Sequence, residues 1–98
     1  MDSGFASLHK ILKDETRRKI ILLLHERGSL SYTDLMNTLS IVNTGRLNYH
    51  LKILDNLILK REDGQYMLTE IGTLASRLLI EFAEEKSNLK MKNKWRLK

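Results

Sequence analysis

The sequence predicts an α+β fold that is mostly helical, on three observations. Apolar residues recur at helical spacing in five segments of the 98-residue chain. One pair of short strand-like runs, 57–61 and 65–68, flanks Asp63-Gly64. An Asp-Gly pair between such runs is a strong hairpin signal, because both central residues of the expected turn take positive φ. The length and the hydrophobic fraction of 42% are those of one globular domain.

Two helices are expected at the start of the chain. Residues 5–13 place three apolar side chains on one face, those of Phe5, Leu8 and Leu12. Asp14 can N-cap a second helix, which Gly28 ends. The apolar run 20–24 covers every side of a helix, so we expect this second helix to be buried all round.

A close pair of shorter helices follows. Ser31 and Asp34 resemble a capping box that opens the first, with Tyr32, Leu35, Met36 and Leu39 facing inward. Residues 40–43 form a turn. The second helix starts at about Thr44 and carries Leu47, Leu51 and Leu54 on one face. Asn56 stands where the C-cap needs left-handed backbone, which asparagine tolerates.

Two short helices, a tight turn and a following hairpin make up a winged helix-turn-helix. Thr69 then caps a last helix, with apolar residues at helical spacing at Ile71, Leu74, Ala75, Leu78, Leu79, Phe82 and Ala83. The fold expected is therefore α+β, mostly α: a winged helix-turn-helix with a two-stranded β-hairpin wing. It occupies residues 1–85, and residues 86–98 form a basic C-terminal tail.

The net charge of +5 comes from the tail. Residues 86–98 hold six of the seventeen basic residues and no acidic ones, so the body carries eleven basic against twelve acidic residues. Net charge alone is therefore weak evidence that the body binds nucleic acid. The tail is either a disordered arm that holds phosphates or an extension of the last helix. With few apolar residues beside Trp95, binding to an anionic membrane surface is the less favoured use.

The helix from Thr44 is the candidate for reading DNA. Its leucine stripe holds it to the body, so its opposite face points at a major groove. The predicted DNA contacts on and before it are Asn43, Thr44, Gly45, Arg46, Asn48, Tyr49, His50 and Lys52; those in the wing are Lys60, Arg61 and Gln65. Arginine binds guanine, asparagine binds adenine, and threonine and lysine suit phosphates. An ordinary solvated face is the alternative, and His50 can instead pack within the helix pair.

Apolar residues at both ends of the chain exceed what a small core can cover. If Leu74 and Leu78 serve the core, other faces of the last helix need a partner. We expect a homodimer through N- and C-terminal helices, with interface residues Phe5, Leu8, Leu12, Ile71, Ala75, Leu78, Leu79 and Phe82. It would set two recognition helices about 34–36 Å apart and favour a near-palindromic operator. A better-packed monomer is the alternative.

Several other classes are disfavoured. The chain has no cysteine, which excludes disulfides and thiolate metal sites. His9 and His25 match no firm metal motif, and three histidines without a paired nucleophile make no catalytic constellation. We therefore expect no enzyme, metal or cofactor. No basic segment followed by an apolar run opens the chain, so we expect no signal peptide, a cytoplasmic location and no membrane partner.

Three stretches resemble the ArsR-type winged-helix regulators, in particular an archaeal-like branch with a Tyr-His-Leu-Lys recognition helix. They are residues 8–21, with Asp14-Glu15-Thr16-Arg17 at their centre, residues 48–54 and residues 66–72. The resemblance covers about residues 8–80. It implies a dimeric DNA-binding regulator in which residues 43–52 read DNA and 60–65 form the wing.

Two features depart from that family. Metal-sensing members use cysteines, which this chain lacks. Glu62 and Asp63 at the wing tip would repel phosphates, so the wing is a weak contact or touches DNA through its shaft. The function predicted is sequence-specific binding of double-stranded DNA by a transcription regulator, for which no residue pattern names an effector. The alternative is a winged-helix protein-interaction module in a larger assembly, which would show apolar or acidic groups on the recognition face.

Overall fold

The chain folds into an α+β structure that is mostly helical and contains a small antiparallel sheet. A computed structural model describes the backbone of residues 4–96 and the side chains of residues 7–85. Its elements are α1 (Gly4–Leu12), α2 (Glu15–Arg27), β1 (Ser29–Leu30), α3 (Tyr32–Leu39), α4 (Thr44–Ile53), β2 (Ile58–Lys60), β3 (Tyr66–Leu68) and α5 (Glu70–Arg96). The predicted order of helices and hairpin is confirmed. No helix in the described part is long and apolar enough to cross a membrane.

Side-chain caps begin the helices where the sequence predicted them. The Asp14 carboxylate accepts the N–H of Arg17 at 3.1 Å, and Ser31 Oγ accepts the N–H of Asp34 at 3.1 Å. Gly28 ends α2 with φ of 84° and donates its N–H to the Leu24 carbonyl. These bonds satisfy backbone groups that a helix end leaves without partners.

The prediction that Asn56 caps α4 in left-handed backbone was wrong. The helix ends at Ile53, with Leu54 at the cap position and an ordinary φ of −80°. The Leu54 carbonyl accepts the N–H groups of Leu57 and Ile58 at 2.7 and 3.1 Å, so this exit needs no left-handed residue. Among the described residues, Ser40 is the only non-glycine with positive φ, and it forms the turn between α3 and α4.

The sheet has one strand more than the predicted hairpin. Its order is β1-β3-β2, all antiparallel, with Ile58 opposite Leu68 and Lys60 opposite Tyr66. The added strand β1 pairs Ser29 with Met67 and Leu30 with Tyr66. Two residues are too few to show the alternation that identifies a strand in a sequence. The predicted two-stranded wing is thus part of a three-stranded sheet.

The hairpin loop also differs from the predicted turn. Gly64 has a φ of 86°, whereas Asp63 keeps a negative φ. Arg61 N–H donates to the Gln65 carbonyl at 2.7 Å, and Gly64 N–H donates to the Arg61 carbonyl at 3.0 Å. Residues 62–64 therefore form a three-residue loop, and such a loop needs only one left-handed residue.

The core is built around α2 and the inner face of α4. Ile20, Ile21 and Leu24 of α2 are buried, and so are the predicted leucines of α4, Leu47, Leu51 and Leu54. The expectation that α2 is buried all round was wrong, because Leu22 is 36% exposed and Leu23 is half-buried. One side of α2 therefore reaches the surface.

The inner face of α5 begins with small residues, and Leu79 packs against the core further along the helix. Thr69 Oγ1 accepts the N–H of Gly72 at 3.1 Å, which confirms the predicted cap. A Cβ on Gly72 would overlap the Leu57 carbonyl, so only glycine allows this approach of α5 to the start of β2. Ala75 and Ser76 on the same side are fully buried.

This rotation of α5 corrects two expectations. Ala75 lies in the core of one chain and not at an interface, because the close approach at Gly72 turns its side inward. Leu74 and Leu78, expected to serve the core, are exposed. The helix continues through residue 85 to Arg96, as one interpretation of the tail anticipated. The side chains of residues 86–98 lie outside the described residues, as does that of Phe5.

Candidate nucleic-acid interface

Helix α4 separates an apolar inner face from a polar outer face. Leu47, Leu51 and Leu54 hold the inner face in the core. The predicted contacts that are exposed on the outer face are Thr44, Gly45, Arg46, Asn48, Tyr49 and Lys52. Tyr49 is 60% exposed, so an aromatic ring projects from the middle of this face. The sequence therefore identified the outer face correctly, except at one residue.

That exception is His50, which is only 5% exposed and cannot reach a base. Its Nδ1 lies 3.3 Å from Arg17 Nη1 and 4.0 Å from Asp14 Oδ1. The prediction of a DNA contact at His50 was wrong. The alternative expected this residue to pack inside, which it does, but its polar partners belong to α2 and the cap of α2 and not to the α3–α4 helix pair. Helical spacing explains the result, because residue 50 is three positions after Leu47 and four before Leu54.

The surroundings of His50 keep its imidazole neutral. Burial lowers the pKa of His50; the Asp14 carboxylate opposes this shift, and the charges of Arg17 and Arg46 add to it. Burial raises the pKa of Asp14, but the Arg17 N–H, the positive charge that His50 carries once it is protonated at acidic pH, and the charge of Arg17 outweigh it, so its net shift is downward. A neutral imidazole thus lies beside a charged carboxylate and a guanidinium.

The first turn of α4 is organised by Asn43 and Arg46. Asn43 Oδ1 caps the helix by accepting the N–H of Arg46 at 3.1 Å, so this predicted contact uses its oxygen within the chain. Arg46 is exposed, and its Nη2 donates to Thr16 Oγ1 of α2 at 3.3 Å. Val42, which precedes the cap, is 94% exposed and was not among the predicted contacts.

The side chain of Asn48 is held by a residue of the neighbouring helix. The hydroxyl of Tyr32, at the start of α3, lies 2.8 Å from Asn48 Oδ1 and 3.1 Å from the Thr44 carbonyl oxygen. Tyr32 was predicted to face the core, and its contact with Asn48 was not predicted. A tyrosine at an otherwise apolar position was the available signal, since its hydroxyl needs a partner.

The hairpin contributes one basic side chain that bears no carboxylate partner among the described residues. Lys60 Nζ lies 5.8 Å from the centre of the Tyr66 ring. Arg61 is paired with Asp63 at 3.0 Å, which offsets its charge. Gln65 Oε1 accepts the hydroxyl of Ser29 at 2.7 Å, so this predicted contact joins β1 to the hairpin. A groove between α4 and the hairpin is lined by residues that include Asn48, Lys52, Asp55, Asn56, Lys60 and Tyr66.

An apolar surface lies away from α4. We call it the α1–α5 surface, and its residues are Leu8, Leu12, Leu22, Ile71, Leu74, Leu78 and Phe82. Phe82 is 71% exposed, and Ile71 and Leu78 are also exposed; the interface predicted at these residues stays a prediction. Leu8, Leu12 and Leu79 are half-buried, because they also pack against the core.

One serine–histidine contact resembles the start of a catalytic arrangement. Ser76 Oγ lies 3.1 Å from His25 Nδ1 and donates to the Thr73 carbonyl at 2.7 Å. Ser76 is fully buried, so no substrate can reach its oxygen. Within the part of the chain that the structure describes, no group of three or more His, Cys, Asp or Glu residues could hold a metal ion.

Comparison with known proteins shows the fold and the family. Quinone-bound YodB from B. subtilis has a similar crystal structure, with a TM-score of 0.77 over 90% of this chain and 99% of that chain. The two sequences are 21% identical, so this likeness is one of fold. No curated protein matches the sequence. The family described as Domain of unknown function (DUF7347) matches residues 6–79, three quarters of the chain, and the protein therefore belongs to this family.

Proposed function

We propose that the protein is a transcription regulator that binds double-stranded DNA sequence-specifically as a homodimer. In this proposal α3 and α4 form a helix-turn-helix, and the β2–β3 hairpin is its wing. Helix α4 enters the major groove. The regulator acts in the cytoplasm by occupying an operator, without metal, cofactor or catalysis.

The observation that carries the proposal is the division of α4 into two faces. Three buried leucines hold a short helix whose opposite face offers Arg46, Asn48 and Lys52 to solvent. A helix is about 10–12 Å across, and the major groove is about 12 Å wide, so such a helix fits with its outer face against base edges. Arginine and asparagine are the side chains that most often read bases there.

The groove between α4 and the hairpin supports contact with the sugar-phosphate backbone. Lys52 and Lys60 line it from opposite sides, and lysine binds phosphates. Asp55 lines it as well, so we expect the phosphates to lie toward the lysines. The wing tip contributes little on this proposal, because Asp63 offsets the charge of Arg61 and Glu62 is exposed beside it.

The α1–α5 surface supports the dimer. Phe82, Leu78, Leu74 and Ile71 are exposed along successive turns of α5, next to the exposed Leu22 of α2. Apolar residues in such a continuous row favour a partner over water. A two-fold pair joined there would present two copies of α4, as in the ArsR-type regulators that the sequence resembles, so the proposed operator is near-palindromic.

The alternative function is a protein-interaction module with the same fold. Val42 and Tyr49 favour it, because both are exposed on or beside the outer face of α4 and can contact another protein. The polar residues Arg46, Asn48 and Lys52 around them favour DNA, where an exposed valine can meet a thymine methyl group.

Selection of bound duplexes from a random pool, with the mass of the protein measured in solution, tests the proposal. We expect enrichment of one near-palindromic site with half-sites about one helical turn apart, and a dimeric mass. Asn48→Ala should weaken binding to that site by about 1–3 kcal/mol. The matched control is Asn37→Ala, which removes the same side chain from the exposed surface of α3. A pool without any enriched sequence would refute sequence-specific binding and favour the interaction module.

A further inference from the structure

We propose that Tyr32 determines the base preference of α4 by orienting Asn48, so that Asn48 reads guanine and not adenine. This inference rests on the proposed function and makes it more specific. Tyr32 is a positioning residue in this proposal, since it acts through Asn48 and need not touch DNA.

The geometry joins the two helices of the pair at one hydrogen bond. The ring of Tyr32 is half-buried and packs against the core, which leaves its hydroxyl little freedom. That hydroxyl reaches Asn48 Oδ1 at 2.8 Å from the start of α3. The side chain of Asn48 is exposed, so the part of its amide that Tyr32 does not hold faces outward.

We assign the single proton of the Tyr32 hydroxyl to Asn48, whose oxygen is the nearer of its two acceptors. Its two acceptors are Asn48 Oδ1 at 2.8 Å and the Thr44 carbonyl at 3.1 Å. The Thr44 carbonyl lies in the first turn of α4, where helical geometry already pairs it with the N–H of Asn48. The shorter bond therefore runs from the hydroxyl to Oδ1, and the amide NH₂ of Asn48 is the end left for a base.

An outward NH₂ group suits guanine. Adenine is read in the major groove by an amide that accepts from N6 and donates to N7, so it needs the oxygen as well as the NH₂. Guanine presents two acceptors, N7 and O6, and requires donors alone. Because Oδ1 is engaged by Tyr32, Asn48 has donors to offer, which changes the adenine preference that its residue type alone suggested.

Removing the hydroxyl frees the amide to turn over. In Tyr32→Phe, Asn48 can present either its oxygen or its NH₂, so it reads guanine and adenine more equally. We expect the preference for G·C over A·T at one position of the selected site to fall by about five- to tenfold, with little change on unrelated duplexes. The loss should vanish when Asn48 is already alanine, because the effect of Tyr32 passes through that side chain.

The experiment measures dissociation constants of four proteins: the wild type, Tyr32→Phe, Asn48→Ala and the double variant. The position tested is the one at which the Asn48→Ala variant no longer prefers one base pair. Each protein is titrated with four duplexes, which differ only in the base pair at that position. A further duplex carries 7-deazaguanine there, which lacks the N7 acceptor. The wild type should bind this duplex several-fold more weakly than the duplex with ordinary guanine, whereas Asn48→Ala should bind the two equally. This test needs no substitution at Tyr32.

The outcomes separate this inference from the proposed function. The inference is supported if the wild type prefers G·C and if Tyr32→Phe reduces this preference only in proteins that retain Asn48. Wild-type preference for adenine, no position that depends on Asn48, or equal effects of Tyr32→Phe in both backgrounds would overturn it and leave sequence-specific DNA binding intact. Failure of the wild type to select any duplex would overturn both.

Discussion

The imidazole of His50 and the guanidinium of Arg17 meet inside the molecule, with Nδ1 and Nη1 3.3 Å apart, although 33 positions separate the two residues in the chain. Arginine can only donate hydrogen bonds, so His50 Nδ1 is the acceptor and its ring is neutral. Arg17 Nε also donates to the Ile11 carbonyl at 2.7 Å. One arginine therefore joins the end of α1 to the inner face of α4.

Acidification should destabilise the fold through His50. Burial lowers the pKa of His50 in the folded state, whereas the unfolded chain titrates near its ordinary value of about 6.5. Between these two pKa values the unfolded state binds more protons, so stability falls as pH falls through 6.5. Urea unfolding at pH 7.5 and 5.5 measures the loss of unfolding free energy, and this loss should be smaller in His50→Gln.

The pKa of Asp14 is below its ordinary 3.8, so the contribution of Asp14 to stability is lost only at more acidic pH. An undiminished loss in His50→Gln would assign the effect to other groups.

Stability and DNA binding should separate along α4. Leu47→Ala opens a cavity at a fully buried position and should cost about 2–5 kcal/mol of unfolding free energy. Tyr49→Ala, two residues on, should change stability by no more than about 0.5 kcal/mol, since its ring is mostly exposed. It should nevertheless weaken binding to the selected duplex. Denaturant unfolding and titration with DNA measure both quantities, and unweakened binding by Tyr49→Ala would remove that residue from the recognition face.

Two glycines should differ in what alanine costs. Gly72→Ala places a Cβ against the Leu57 carbonyl, and because neither backbone can give way easily we expect a loss of about 3 kcal/mol. Gly64→Ala meets nothing within 4 Å and is strained only by its φ of 86°, for about 1–2 kcal/mol. The free energy of unfolding of the two variants and of the wild type is measured by denaturant at one fixed protein concentration. A smaller cost at Gly72 than at Gly64 would contradict the close approach of α5.

A charge on the α1–α5 surface should prevent dimerisation. Phe82→Asp places a carboxylate on this apolar surface. A dimer joined there would have to bury this charge with no cation or hydrogen-bond donor beside it, which is energetically costly. We expect a monomeric mass by light scattering and much weaker binding to a near-palindromic duplex. Val42→Asp changes an even more exposed apolar residue outside this surface, and it serves as the control for the measurement of mass. It is not a control for DNA binding, because Val42 precedes the cap of α4. A dimer that survives Phe82→Asp would place the interface elsewhere.

Features governed by neighbouring residues were predictable from the sequence. Caps at Asp14, Ser31 and Thr69 each depend on a side chain reaching a backbone N–H three residues away. The leucine spacing in α4 likewise defines its inner face. The hairpin was found from Asp63-Gly64, although its loop has one residue in left-handed backbone and not two.

The candidate site was predictable as a face but not as a set of working atoms. The outer face of α4 follows from the positions of its leucines, since a helix has only one opposite side. Which groups on it are free depends on partners from distant parts of the chain. Asn43 uses its oxygen on the cap, Gln65 holds Ser29, and Tyr32 holds Asn48.

Local residue order was enough to determine the helices, the caps at Asp14, Ser31 and Thr69, the hairpin and the polar side of α4, because the interactions responsible span only a few residues. Long-range packing was needed to place β1 in the sheet, to bury His50 beside Arg17 and to rotate α5 so that Ala75 faces inward. Each of these features depends on which segments of the chain pack against each other, as the close approach of Gly72 to the Leu57 carbonyl shows. Such approaches leave no periodic pattern in a single sequence, since the two partners are far apart along the chain.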